Sequence, residues 1–188
     1  HAFNLTNSAP YGSGSTSNKT QLNSGSNTSS RVGFRGTENL GGGMSASFWL
    51  EGQFNTDNGA GVATNTNNQT NGGAIAGIGG GQGFTFGRRS TVSLHAPWGE
   101  IRMGRDFTSH YLNRSLADVF AVVGVGASQP HVGTLGGTVA TRASNMIGYY
   151  LPASVGPIYG QAQIYYGENN SGAANSSDGK GYSVRVGY

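Results

Sequence analysis

From residue 30 onward, apolar and polar residues alternate with a period of two. In 31–40, Val32, Phe34, Gly36 and Leu40 share one parity, broken only by Glu38; Arg31, Gly33, Arg35 and Thr37 share the other. In 44–54, Met44, Ala46, Phe48 and Leu50 oppose Ser45, Ser47, Trp49, Glu51 and Gln53. Side chains in a strand point alternately to opposite faces, so this pattern predicts strands with one apolar and one polar face. Residues 84–96 continue it, with Val92, Leu94 and Ala96 against Thr91, Ser93 and His95. Ile101 and Met103 then oppose Arg102 and Asp106, and Ile147, Tyr149 and Leu151 oppose Arg142 and Ser144. Ile158, Gly160, Ala162, Ile164 and Tyr166 face away from Tyr159, Gln161, Gln163 and Tyr165; Tyr182, Val184, Val186 and Tyr188 face away from Ser183 and Arg185. Seven strands result. Residues 1–29 read as a polar surface loop with the tail of a further strand at its start.

The connections sort by length. Short turns fall at 39–43, 97–99 and 152–157, and long Gly-rich or polar loops at 55–83, 108–140 and 168–180. Short turns at one end and long loops at the other mark a transmembrane β-barrel. A soluble sandwich also alternates its side chains but has no reason to segregate loop length by end. The predicted fold is therefore all-β, an antiparallel transmembrane β-barrel, with residues 1–188 as a single domain.

Composition agrees. Of 188 residues 34 are glycine, only 35% are hydrophobic and 10% are charged, too little apolar matter for an ordinary packed core. Nine Tyr, eight Phe and two Trp argue against a disordered chain. A barrel wall needs no large core, because one face meets lipid and the other water. No apolar run is long enough for a membrane helix. No leader is legible at His1, and the chain reads as mature or truncated. Seven or eight strands close at most a narrow, filled barrel, and a water-filled pore needs about twice as many; the chain is thus expected to be either a small barrel or part of a larger one.

The charge distribution says more than its sum. Nine of the eleven basic residues are arginine. Arg31, Arg88 and Arg142 each stand nine positions before the end of a strand-like stretch, at Leu40, Pro97 and Leu151. In one barrel they share a depth, and lipid would reject them at about 2–4 kcal/mol each near the midplane. They are therefore expected on the wet face, where a guanidinium suits phosphate or carboxylate. Arg35 extends the stripe, and Arg102 lies on the polar parity of its strand. One conflict arises: strict alternation turns Arg89 inward and Arg88 outward, yet Arg88 is the first choice for the wet face and Arg89 the second, a β-bulge reconciling Arg88 with the alternation. Glu51, Asp106 and Asp118 are the candidate counter-charges, although Glu51 and Asp106 have the alternative of simple pairing with neighbouring arginines. Tyr149, Tyr182, Tyr188, Phe107 and Trp98 sit near strand ends, as a membrane-interface girdle does; core packing is the alternative for Trp98.

Several linked motifs resemble a known family. Ser-Arg-Val-Gly-Phe-Arg-Gly-Thr-Glu-Asn-Leu-Gly-Gly-Gly (30–43), Phe-Trp-Leu-Glu-Gly (48–52) and Gly-Arg-Arg-Ser-Thr-Val-Ser-Leu (87–94) occur in order. Trp-Gly-Glu-Ile-Arg-Met-Gly-Arg-Asp (98–106) and Ser-Asn-Met-Ile-Gly-Tyr-Tyr-Leu-Pro (144–152) follow. Together they resemble strands two to six of the trimeric Gram-negative porins of β-proteobacterial type, and most closely anion-selective porins of the Comamonas and Delftia kind. The resemblance spans residues 30–188. It implies a sixteen-stranded barrel of which about strands two to eight are present, a homotrimer in the outer membrane among lipid and lipopolysaccharide, and a constriction loop at 108–140 folded into the lumen. The usual first strand and roughly the second half of the barrel are missing from the pattern. It further implies passive diffusion of small hydrophilic solutes, with preference for small anionic solutes set by the lumen arginines. A substrate-specific channel, for small dicarboxylates for instance, and a small non-conducting barrel or adhesin are the alternatives.

Other chemistries find no foothold. No nucleophile–base arrangement stands out, so no enzyme and no cofactor is expected. His95, His110 and His131 lack metal-ligand spacing. The Gly-rich run 77–83 lacks the Lys-Ser/Thr of a phosphate loop, and no compact basic run suggests nucleic acid. The apolar segment 119–125, with Phe120, is expected to hold the long loop against the inner wall.

Overall fold

The computed structural model describes residues 2–6, 17–25, 27–70, 82–124, 126–127 and 137–188. Its main body is one sheet of β3 (Arg31–Gly41), β4 (Met44–Gln53), β5 (Arg89–Ala96), β6 (Gly99–Phe107), β7 (Arg142–Tyr150), β8 (Tyr159–Tyr165) and β9 (Gly181–Gly187). The strands follow chain order across the sheet, each antiparallel to the next. Every pairing is therefore between neighbours in sequence, the up-and-down meander of a barrel wall. The sheet is not closed: among the described residues β3 and β9 are its two edges.

The register keeps the two faces apart. Phe48 stands opposite Val92, Val92 opposite Met103 and Met103 opposite Ile147, one apolar row running across four strands. Trp49 stands opposite Thr91, and Ser93 opposite Arg102, on the polar face. A one-residue slip would interchange the faces, so the alternation itself enforces the register. Among the described residues nothing covers the apolar row: Val92 is 57% exposed and Met103 49%. A packed core is correspondingly small, consisting of Ala143, Met146 and Tyr165 with Val139 against them.

The short turns are built for tightness. Gly41, Gly42 and Gly43 all have positive φ (79°, 61° and 77°), a conformation that only glycine adopts without strain, and they reverse the chain between β3 and β4. At Gly104 φ is 119° and an added Cβ would run into the Ser90 carbonyl. There the β6–β7 register shifts, between Gly104 and Asp106, and Asn145 on β7 takes φ 55°. The shift breaks the parity expected of β7: Ser144 leaves the face of Arg142.

Three elements differ from the sequence reading. The N-terminal stretch holds a two-stranded sheet, β1 (Ala2–Thr6) with β2 (Ser17–Gln21), where only the tail of one strand was expected. Polar, Ser- and Asn-rich β2 has no apolar parity to reveal it. The loop 108–140 opens with a helix, α1 (Ser109–Ala117), capped by the Thr108 side chain, which accepts from the Tyr111 N–H. Its short, mostly polar sequence hides the helical period. Finally β5 starts at Arg89 rather than residue 84.

Candidate functional site

The polar face of β3–β7 concentrates the charge. Across β3 and β4, Arg31 approaches Glu51 at 3.8 Å, and from the residue preceding β5 the Arg88 Nε donates to the same carboxylate oxygen at 2.5 Å. The looser pair, with Arg31 half exposed, contributes at most about 1 kcal/mol. The Arg142 Nε donates to the Arg88 carbonyl at 2.7 Å. Arg31, Arg88 and Arg142 thus converge on one concavity of about 460 Å³, shared with Gln53, Phe107, Tyr111 and residues 121–123. Among the described residues Glu51 is the one carboxylate in ion-pair contact with this group, and it reaches Arg31 and Arg88 but not Arg142.

Arg88 and Arg89 both reach the polar side. The Arg88 N–H donates to the Glu51 carbonyl at 3.0 Å, while Arg89 is the residue directly opposite Glu51 in register. Two successive residues at the start of β5 face one of β4, which is the geometry of a bulge. Arg89 then meets Asp106 at 3.2 Å and lies 4.2 Å over the Trp49 ring. Arg102 forks onto Glu100, with Nε at 2.7 Å and a terminal nitrogen at 2.9 Å, and reaches Asp106 at 2.6 Å. Asp106 is buried between the two arginines, and its other oxygen accepts from the Phe107 N–H at 2.8 Å. Glu51 and Asp106 thus pair with neighbouring arginines. Arg35 is exposed, stands opposite Trp49, and lies 5.4 Å from its ring. Asp118 is not brought among these carboxylates: it ends α1, and one oxygen accepts from the Phe120 N–H.

Among the described residues aromatic rings hold more arginines than carboxylates do, six against four. Arg102 lies 4.2 Å over Tyr150, Arg142 4.3 Å over Phe107, and Arg185 4.6 Å over Tyr159. Such a contact contributes about 0.5–2 kcal/mol, more as water is excluded, without cancelling the charge. Phe107 in turn stacks on Tyr111 of α1 at 4.5 Å, and Arg114 lies 5.1 Å from the far ring. Phe107 is therefore no girdle residue; it joins the wall to the helix. Trp98 and Tyr149, half exposed at the short-turn end, stack on one another instead, as a girdle does.

Two anchoring groups escaped the sequence reading. On β8, the Gln163 Oε1 accepts from the Ser109 N–H (2.8 Å), the Ser109 hydroxyl (3.0 Å) and the Ser183 hydroxyl (2.8 Å), and its amide donates to the Phe107 carbonyl (2.9 Å). Gln161 donates to the Ser109 hydroxyl at 3.0 Å. These amides, not apolar residues 119 and 120, seat the loop: Val119 is 94% exposed and Phe120 57%. Of the rest of the expected segment, Ala121, Val122 and Val123 border the arginine concavity, and Val125 lies outside the described residues, as does His131. The second group lies at the long-loop end. Asn68 is buried with φ 62°; its amide donates to the carbonyls of Ser144 (2.9 Å), Tyr166 (3.0 Å) and Gly179 (3.3 Å), and its Oδ1 accepts from the Ser144 N–H (2.7 Å). Beside it Arg105, on the apolar parity of β6, is satisfied by the Gly87 carbonyl (2.7 Å), the Asn65 carbonyl (2.9 Å) and the Ser144 hydroxyl (2.8 Å). An arginine on an apolar parity is the signal that could have revealed this cover.

With the geometry in place, the comparisons decide the family. A model of the Gram-negative porin family matches residues 4–188. The chain belongs to that family. It is 38% identical over 133 residues, 69% of its length, to the outer membrane porin protein 32 of Delftia acidovorans, covering 32% of that relative. It is 31% identical over 163 residues, 85% of its length, to an outer membrane porin protein of Bordetella pertussis, covering 34% of it. Among solved structures, an anion-selective porin from Comamonas acidovorans superposes with a TM-score of 0.62 at 33% identity, over 86% of this chain and 44% of that one. Salmonella typhi OmpF shares the fold alone, at 17% identity and a TM-score of 0.51, over 90% of this chain and 44% of that one. The porin chain spans about a third of the length of the curated relatives it matches. Its place is the bacterial outer membrane, and its open meander is part of a porin β-barrel wall.

Proposed function

We propose that this chain forms part of the wall of a water-filled pore that passes small hydrophilic solutes by passive diffusion and prefers anions. The carrying observation is the convergence of Arg31, Arg88 and Arg142 on one concavity in which, among the described residues, Glu51 pairs with Arg31 and Arg88 and no ion pair reaches Arg142. Arg35, Arg89 and Arg102 extend the charge along the same face, with Asp106 and Glu100 as its partial balance. A fixed excess of one sign in a narrow aqueous passage raises the local concentration of the opposite ion.

The stretch 108–140 serves as the constriction loop. Two contacts support this: α1 is seated on the polar face by Gln161 and Gln163, and residues 121–123 border the arginine concavity. The assembled protein is a homotrimer among outer-membrane lipid and lipopolysaccharide. No catalytic step and no cofactor form part of this reading.

The test is the reversal potential of the full-length protein in planar bilayers under a potassium chloride gradient. The expected sign is that of chloride preference, and a potassium-preferring pore contradicts the proposal.

A further inference from the structure

A field of fixed positive charge poses a physical problem. Long arginine side chains must be held in place, yet the usual partner, a carboxylate, cancels what it holds. Trp49 meets that problem differently. It stands on β4 with Arg35 directly opposite on β3 and with Arg89 reaching it from β5 on the other side. The two guanidinium carbons lie 5.4 Å and 4.2 Å from its ring. The face of an indole carries the negative part of a quadrupole but no net charge, so it attracts both cations and neutralises neither.

Arg35 depends on this ring more than its neighbours do. Arg31, Arg88, Arg89 and Arg102 all have carboxylate contacts, and among the described residues Arg35 has none within ion-pair distance. Glu51 stands opposite Gly33, diagonal to Arg35 and within the reach of a long side chain, with Arg31 and Arg88 already on it. Without the indole, Arg35 is free to fold onto that carboxylate or to swing into bulk water. Around the ring lies a concavity of about 530 Å³ bordered by Thr37, Ser47 and Thr91, whose hydroxyls can donate to an oxyanion. It is displaced toward the short turns from the Arg31 group, by about 13 Å along β3 at about 3.3 Å per residue.

Building on the pore reading above, we propose that Trp49 is a specificity-determining residue: its indole holds Arg35, which has no ion-pair partner among the described residues, in a spaced pair with Arg89, whose own carboxylate contact is Asp106. The pair forms a second station for small carboxylates and phosphates on the short-turn side of the Arg31–Arg88–Arg142 group.

The experiment is the permeability ratio of chloride to potassium, measured with the full-length protein in planar bilayers, for Trp49→Phe, Trp49→Leu, Arg35→Gln and the double variant Trp49→Leu/Arg35→Gln. Trp49→Phe keeps a ring and is expected to keep the parent ratio. Trp49→Leu and Arg35→Gln each lower it, by about twofold, and the double variant falls no further than Arg35→Gln alone. Trp49→Gln, suited to a wet face, replaces the Leu variant if that one fails to insert. A Trp49→Leu channel with altered conductance but the parent ratio makes the ring mere filler and overturns the proposal. So does a double variant whose two losses add in full. A parent channel that prefers potassium contradicts the pore reading itself, whereas an anion-preferring parent with an unmoved Trp49→Leu contradicts only the role of Trp49.

Discussion

The polar face of this sheet is used in two ways. On β3–β6 it carries arginines, fixed by three carboxylates and by aromatic rings, and the concavities between them stay open. On β8–β9 the same parity carries Gln161, Gln163 and Ser183, and their hydrogen bonds are spent on seating α1. One stretch is dressed to meet ions and the other to hold a piece of the protein. The difference lies in whether each polar group finds a protein partner. Amides and hydroxyls bond one another across the helix seat, whereas the arginines outnumber their carboxylates and keep donors for solute. The seam between the two stretches is the Arg142–Phe107–Tyr111 stack, where a charge of the first is laid against the helix held by the second.

Both stretches presuppose that the opposite face is dry, so the heaviest blow is to charge that face. Val92→Arg is expected to lower barrel stability by about 2–4 kcal/mol, while Thr91→Arg, one residue away on the wet face, costs far less; urea titration of the protein folded into lipid vesicles separates them. Next comes the amide stretch. Gln163→Leu strands the Phe107 carbonyl and leaves the Ser109 N–H only its longer bond to the Ser183 hydroxyl, a loss of about 1–3 kcal/mol, and the expected readout is faster hydrogen exchange and proteolysis confined to α1. At the seam, Phe107→Leu removes one ring from the stack at about 0.5–1.5 kcal/mol; α1 loosens less than in Gln163→Leu, and Phe107→Tyr restores the protection. The smallest effect belongs to the arginine stretch. Arg142→Gln is expected to reduce the chloride-to-potassium ratio by about twofold with α1 still protected, whereas Gln161→Leu alters α1 protection with little change of ratio. If these last two exchange their effects, the division of the face is wrong.

The strand meander was legible because lipid on one side and water on the other impose a strict period of two, and Val92/Thr91 or Phe48/Trp49 show it in adjacent residues. Arg31, Arg35, Arg89 and Arg102 were legible for the same reason, whereas Arg105 on the apolar parity was not, because backbone carbonyls of the long-loop end satisfy it there. The competition between Arg88 and Arg89 was posed correctly but could not be resolved from parity, because a bulge suspends parity. Gln163 was placed on the polar parity, yet nothing in an isolated glutamine names Ser109, 54 positions away, as its partner. Helix α1 and the knot at Asn68 were hidden for a like reason: their stability comes from side chain to backbone bonds between distant loops, which leave no periodic trace. Phe107 was misread because a strand-end aromatic looks alike whether it borders lipid or a helix.

The decisive question is whether the arginine-bearing face lines positively charged water. These 188 residues hold no cysteine, so a thiol introduced here, with any cysteine elsewhere in the full-length protein replaced, reports on its own position. Thr37→Cys lies on that face and Phe34→Cys on the opposite one, both at exposed positions of β3. Each is exposed, in the full-length protein embedded in lipid, to an anionic sulfonatoethyl and a cationic trimethylammonioethyl thiosulfonate, and the two rates of thiol modification are compared. The account predicts that Thr37→Cys reacts with both, faster with the anionic reagent, and that Phe34→Cys reacts with neither. Faster reaction with the cationic reagent at residue 37, or equal reactivity at residue 34, contradicts it.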